Sequence, residues 1–264
     1  MSGGAPVKTG RERLAHAQDL YREGFARALD EAKPEPGDAF PCPYLPGREA
    51  RQLTVLPNPI APGTYHALMD LNFRRLGRVF YRPSCAGCDE CRILRLAVEE
   101  LSLTRSQERC LRRNRDVAVE LGRPNPTAEK WQLYSRYLEA RHDGVMDGSW
   151  EEFTSFLYSS AIQTREVSYR VADRLIAVCL VDCEPLAWSA VYCYFDPAES
   201  RRAPGVFNVL SLADQCRIRS VPWLYLGYHV TGARAMAYKG GFSPCEKLGR
   251  DGVFRRLTRS GARP

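Results

Sequence analysis

The stretch REVSYRVADRLIAVCLVDCEPLAWSAVYCYF, residues 165–195, decides the fold. It holds three runs rich in β-branched and aromatic residues, REVSYRVA, RLIAVCLVD and AWSAVYCYF, each of strand length. Beyond them Val206, Val209, Leu210, Ala213 and Ile218 fall mostly on one stripe of a helix expected from Val206 to Arg219, and WLYLG at 223–227 returns as a strand. Antiparallel strands, one amphipathic helix, a further strand and a short last helix predict an α+β layer.

Upstream, Thr127 is placed to cap a helix through EKWQLYSRYLEARH, and WEEFTSFLYSS reads as a second helix. GRPNPT at 122–127 is the linker, so the expected units are a cysteine-containing basic domain at 39–122 and a second domain at 123–264. Within the first unit, Thr64 opens a helix through YHALMDLNF, Gly77 stops it and VFY leads as a short strand into the cysteine loop. RILRLAV alternates as a half-buried strand, and Ser106 to Asn114 reads as a basic helix before the strand VAVEL. Residues 1–38 read as a polar arm without stable fold, with one helix expected inside it from Glu12 to Leu29; the prolines of KPEPGDAFPCPYLPG forbid regular structure after it. No internal repeat is visible.

Composition narrows the function classes. The chain has 264 residues, 44% hydrophobic and 26% charged, which fits an ordinary globular protein and argues against disorder. The N-terminus lacks an apolar signal core, and LIAVCLV at 175–181 is too short to span a bilayer, so a cytoplasmic protein with no membrane role is expected. In a reducing compartment the ten cysteines point to metal or redox chemistry ahead of disulfides. The net charge of +7, carried mostly by arginine, suits an anionic partner, although arginine on solvated faces gives the same number.

Cys85, Cys88 and Cys91 form CxxCxxC, a spacing that lets three thiolates converge on one centre. Cys42 is the candidate fourth ligand and His66 the substitute; zinc and an iron–sulfur cluster both suit the soft donors, and small buried thiols are the plain alternative. Arginines flank the triplet. Arg105, Arg109 and Arg112 share a helix face at i, i+4 and i+7, and with Arg113 they suit phosphate contact with RNA or DNA.

WLYLGYHVTGARAMAYKGGFSP at 223–244, CPYLPGREAR at 42–51, FRRLG, RPSCAGCDECRILRL, SLTRSQERCLRRN, YSRYLEARH and WSAVYCYFDP together resemble the aminoacyl-tRNA protein transferase family, in its bacterial branch, over roughly residues 40–250. The resemblance implies a GNAT-like mixed sheet in the C-terminal domain and transfer of leucine from leucyl-tRNA to proteins beginning with Asp or Glu, marking them for degradation. Eukaryotic relatives transfer arginine and bind an iron–sulfur cluster through N-terminal cysteines. This chain departs from their pattern, with one Cys42 for an upstream pair and CxxCxxC for adjacent thiols.

The ester is already activated and an α-amine of pKa about 7.7–8.0 is partly neutral, so orientation and oxyanion donors matter most and no cofactor is required. The expected catalytic residues are Tyr228, Ser189, His142 and Lys239. The expected substrate-binding set is Arg74 and Arg75, as forks for the acidic side chain, with Tyr192, Tyr225, Gly227, Met236 and Tyr238. The rival readings are arginyl transfer, an acetyl-CoA-dependent acetyltransferase, for which RRAPGVFN supplies only the single Gly205, and a metal-binding, redox-responsive nucleic-acid regulator.

Overall fold

The computed structural model describes residues 9–58, 60–141 and 149–257. In chain order these form α1 (Gly10–Ala32), β1 (Phe40–Pro41), β2 (Glu49–Ala50), β3 (Gln52–Val55), α2 (Thr64–Asp70), β4 (Arg74–Leu76), β5 (Val79–Pro83), β6 (Arg92–Ala97), α3 (Arg105–Arg113), β7 (Val117–Gly122) and α4 (Ala128–Arg141). There follow α5 (Trp150–Glu152), which runs into a π-helical turn at Phe153–Tyr158, β8 (Thr164–Val171), β9 (Arg174–Cys183), β10 (Ala187–Phe195), α6 (Pro204–Ile218), β11 (Trp223–His229), a 3-10 segment Arg234–Gly241, β12 (Cys245–Leu248) and β13 (Phe254–Arg256).

The three runs that opened the sequence are β8, β9 and β10, and they lie side by side in an eight-stranded mixed sheet of order β13-β12-β6-β11-β10-β9-β8-β7. β9 is buried along most of its length, as a central strand must be, which explains its unbroken aliphatic sequence. On one face α6 packs with Leu94, Val167, Cys179, Val181 and Leu224; on the other, α4 and Phe153 cover Val178, Leu180 and Tyr194. The α+β expectation holds, with a mixed sheet in the C-terminal region. A separate three-stranded sheet, β3-β5-β4, packs with α2 against Ile93, Tyr225 and Tyr228.

The expected boundary at 122 does not interrupt this sheet. β7 ends at Gly122 and pairs with β8, while β6 lies between β11 and β12, so strands from both sides of residue 122 share one hydrogen-bonded layer. The polar arm is also corrected in part: α1 occupies Gly10–Ala32. A capping box starts it, with Thr9 accepting the Glu12 amide and Glu12 accepting the Thr9 amide at 2.6 Å, and Phe25 and Leu29 pack beside the Tyr65–Phe80 cluster.

α2 is shorter than the sequence suggests, and all seven of its residues are buried. Thr64 does not cap it. Gly63 takes the cap position at φ 95°, and the carboxylate of Glu184, from the β9–β10 turn, accepts the amides of Gly63 and Tyr65. Burial pushes Glu184 up to about 7 despite those two donors.

Candidate active site

β10 and β11 run parallel but stay paired only from Ala187 to Ser189 against Trp223 to Tyr225. Past that point each carries a register shift against its other neighbour, between Ala190 and Tyr192 in β10 and between Tyr225 and Gly227 in β11, and the two strands part. A fork between parallel strands leaves backbone carbonyls without a ladder partner. Here Arg74 of β4 fills that role, its Nη2 donating to the carbonyls of Ala190 and Val191 at 3.0 Å each.

Gly227 is what admits it. Its φ is 77°, and a Cβ there would lie 1.8 Å from Arg74 Nη1, so both backbone conformation and space demand glycine. The guanidinium carbon stands 5.9 Å from the Tyr228 ring centroid, and Nε of Arg74 is buried without a hydrogen-bond partner. From the 3-10 segment Lys239 donates to the Tyr228 carbonyl at 3.0 Å. Burial, and then the charge of Arg74, bring its ammonium down to about 7. The fork therefore holds one permanent cation and one amine that titrates near neutrality.

Beside Lys239, Tyr238 lines a cleft of about 1,110 Å³. Its other walls include Arg109 and Arg113 of α3, Ala203 and Val206 at the start of α6, and His229, Thr231 and Gly240; among the described residues no Asp or Glu lines it. The Tyr192 hydroxyl is buried and unpartnered, and its ring meets those of Tyr134 and Tyr137 edge-on at 6.1 and 6.3 Å.

The expected residues thus separate into groups. Arg74, Gly227, Lys239 and Tyr192 gather at or beside the fork. Ser189 marks its apex, in the last paired position, and is buried. Tyr228 bounds the fork with its ring and carbonyl, but its hydroxyl is committed elsewhere, donating to the carbonyls of Asn72 and Tyr81. Tyr225 is fully buried, with its hydroxyl on Asp70 at 2.5 Å and Arg95 beside it. Arg75 holds no free fork: it chelates Asp182 with two bonds of 2.8 Å in a fully buried pair. Adjacent residues of a strand face opposite ways, which alone would have separated Arg74 from Arg75. Met236 lies in the 3-10 segment but outside the cleft lining, and His142 lies outside the described residues.

Of the α3 arginines, Arg109 and Arg113 face the cleft, whereas Arg105 and Arg112 are exposed and do not line it. The cleft face runs through Ser106, Arg109, Cys110 and Arg113, one position on from the expected stripe. Sequence reading missed the carbonyls of Ala190 and Val191 and the cap supplied by Glu184. Gly227 inside the strand WLYLGYH was the signal for the first; nothing local signals the second.

Cys42, Cys85, Cys88 and Cys91 line one small cavity with Tyr44, Tyr81 and Tyr228. The Arg51 amide donates to Cys85 and Arg48 Nη1 to Cys88, both at 3.5 Å. Burial, then the neighbouring thiols Cys42, Cys85 and Cys88, push Cys91 up to about 12. The donor set suits a soft metal, yet among the described residues no three side chains stand together as metal ligands. His66 is buried elsewhere, 3.9 Å from Asp70.

Two parallel strands that part beside a basic cleft form a candidate acyl-transfer site, and its family matches make the chain an aminoacyltransferase. The family description "Arginine-tRNA-protein transferase, N terminus" matches residues 40–109, and "Arginine-tRNA-protein transferase, C terminus" matches 129–249. The chain is 39% identical over 214 residues to an aspartate/glutamate leucyltransferase of Hahella chejuensis, covering 80% of this chain and 92% of that protein. It is 37% identical to a protein of the same name from Maricaulis maris, over 79% of this chain and 84% of that one. Among solved structures, the C-terminal domain of a putative lysylphosphatidylglycerol synthetase from Agrobacterium fabrum overlaps with a TM-score of 0.44 at 12% identity, over 66% of this chain and 53% of that one. The chain belongs to the arginine-tRNA-protein transferase family, and among the described residues no helix is long and apolar enough to cross a membrane.

Proposed function

We propose that this enzyme transfers leucine from leucyl-tRNA to the α-amine of proteins beginning with Asp or Glu, in the cytoplasm, and so marks them for degradation. The observation that carries the reading is the fork, where Arg74 and Lys239 stand within one electrostatic neighbourhood. Arg74 offers its unpartnered Nε–H to the acidic side chain of the acceptor. Lys239, in its neutral form, takes a proton from the α-amine as the amine nitrogen attacks the ester carbonyl. The new bond is N–C, the bond that breaks joins the carbonyl carbon to the ribose oxygen, and the proton passes to that leaving oxygen. The Tyr192 hydroxyl is the donor for the developing oxyanion.

An arginyl group would bring a guanidinium to walls that carry no carboxylate among the described residues, whereas a leucyl side chain matches aromatic walls. Arg109 and Arg113 serve the tRNA phosphates. Cys42, Cys85, Cys88 and Cys91 are the set that a zinc ion or iron–sulfur cluster would take. Such a group would supply structural closure of that loop, and no step of the transfer passes through it.

The test is incorporation of labelled leucine or arginine from the charged tRNAs into peptides beginning with Asp, Glu or Ala, followed from pH 6 to 9. Leucine enters the Asp and Glu peptides only, with a rate that rises through about pH 7 as Lys239 loses its proton; Lys239→Met is slow and rises only with the α-amine itself, through about pH 7.7–8.0. No incorporation from either donor refutes the reading.

A further inference from the structure

The C-terminal hairpin has no role in the fork, and β13 lies past residue 249, where the family match ends. Its register is unusual: Lys247 of β12 stands directly opposite Arg255 of β13. Like charges at opposed positions of an antiparallel pair destabilise the pair unless an anion answers them. Arg255 turns onto Asp251 in its own hairpin, at a site open to water, whereas Lys247 makes no ion pair among the described residues.

These two cations, with Arg92, Arg250 and Arg256, line a depression of about 380 Å³. Thr231 and Leu257 line that depression and also the 1,110 Å³ cleft, so the two adjoin there, with Tyr238 in the wall of one and the hairpin in the wall of the other. The acids that face it are Asp89 and Glu90. Asp89 is shared between Arg92 and Arg250, and Arg256 meets Glu100; these are surface pairs, weak enough for a polyanion to compete with them.

His229 lines the cleft, its Nδ1 is buried without a partner among the described residues, and burial, then the charges of Lys247 and Lys239, lower its pKa. An unpartnered polar nitrogen in the wall of a cleft that adjoins a cation-lined depression is a place for a ribose hydroxyl or a phosphate oxygen.

We propose that the β12–β13 hairpin, through Lys247 and Arg255, is a binding site for the sugar–phosphate backbone of the tRNA acceptor strand, which runs on from the depression past His229 to present its aminoacylated end beside Tyr238 and Lys239. The inference rests on the leucyl-tRNA reading above. RNA suits this surface better than an acidic peptide because successive phosphates answer the several cations that line the depression, and His229 in the adjoining cleft gives the 2′-hydroxyl a partner.

The experiment uses the full chain and two donors, leucyl-tRNA and the leucyl ester of adenosine, with tRNA binding followed by fluorescence anisotropy as salt is raised. In Lys247→Glu/Arg255→Glu, KM for leucyl-tRNA rises at least tenfold, and the ratio of transfer from tRNA to transfer from the adenosine ester falls by the same factor. The log–log salt slope of binding becomes shallower by about 1.4, since two phosphates of a single strand are no longer neutralised. Arg11→Glu, a charge reversal on the exposed start of α1, leaves slope and KM at wild-type values. Wild-type KM and slope in the hairpin variant overturn the proposal. Should that variant unfold at lower temperature, Lys247→Gln/Arg255→Gln decides: at a wild-type melting midpoint, an unchanged salt slope overturns it and a slope about 1.4 shallower supports it. If the wild type binds tRNA but transfers from neither donor, the leucyl-transfer reading falls, while the salt slope still decides the hairpin.

Discussion

Gly227→Ala tests the wedge that holds the fork open. The added methyl brings two separable penalties. A non-glycine residue at φ 77° costs about 1–2 kcal/mol whatever surrounds it. The second comes from Arg74, whose Nη1 lies 1.8 Å from the new Cβ and must leave. It then forfeits its bonds to the carbonyls of Ala190 and Val191, each about 1.5–3 kcal/mol for a charged donor. Gly227→Ala is therefore expected to destabilise the protein by about 4–8 kcal/mol and to abolish transfer. In an Arg74→Ala background the steric penalty vanishes, and the same substitution costs only the backbone share of about 1–2 kcal/mol. Urea unfolding of the four proteins closes the double-mutant cycle, with a coupling of at least about 3 kcal/mol expected. If Gly227→Ala costs the same in both backgrounds, within about 0.5 kcal/mol, Arg74 does not occupy the fork and the account of the site fails.

Arg75→Ala removes one member of a fully buried pair and leaves Asp182 with only the Thr164 hydroxyl, at 2.6 Å; a loss of about 3–5 kcal/mol in urea unfolding is expected, and a loss under about 1 kcal/mol would contradict the pairing. Glu184 has a folded pKa of about 7, above its unfolded value, so the native state keeps a proton that the unfolded chain has released. Its contribution is full below about pH 4.5 and is lost as pH rises through 7, by about 3 kcal/mol relative to Glu184→Gln; parallel stability–pH curves for the two proteins would refute this. Tyr228→Phe should cost about 1–2 kcal/mol of stability through its two carbonyl partners while kcat stays within about threefold. A hydroxyl that stabilised an oxyanion would instead cost about 10²–10³ in kcat, and that result would return Tyr228 to the chemistry.

The sheet was legible because its evidence is local. A period of two, a stripe of apolar residues on α6 and flanking breaks specify β8 to β11 one segment at a time. What escaped depends on distant partners. The helix of α1 was expected from Glu12 to Leu29 but its packing was not, because it looks polar, with Phe25 and Leu29 among the side chains that pack inward; its capping box was the signal for its start at Thr9 and Glu12. The placement of β6 beside β11 could not be read at all, since a half-buried strand fits any sheet edge and the pairing joins residues more than a hundred positions apart. The thiols gathered as their spacing implied, but spacing constrains direction more than distance, and convergence on a cavity falls short of coordination.

The same distinction bears on the YLGY…YK signature, whose tyrosines were expected to supply hydroxyl donors. A tyrosine-rich motif in a transferase invites hydroxyl chemistry, yet in this fold each element of it fixes geometry. Tyr225 is pinned by Asp70, Tyr228 by the carbonyls of Asn72 and Tyr81, Gly227 makes room for a cation from another sheet, and Lys239 fastens the 3-10 segment to the carbonyl of Tyr228. Four positions in one short stretch thus hold β11, Arg74 and the 3-10 segment in place beside the parted strands. Two buried positive groups, Arg74 and Lys239, are tolerable there because three backbone carbonyls receive them, and burial, with the charge of Arg74 second to it, brings the Lys239 amine down to about 7. The proposed chemistry belongs to the fork as an assembled object, which is why no single residue of the motif announces it.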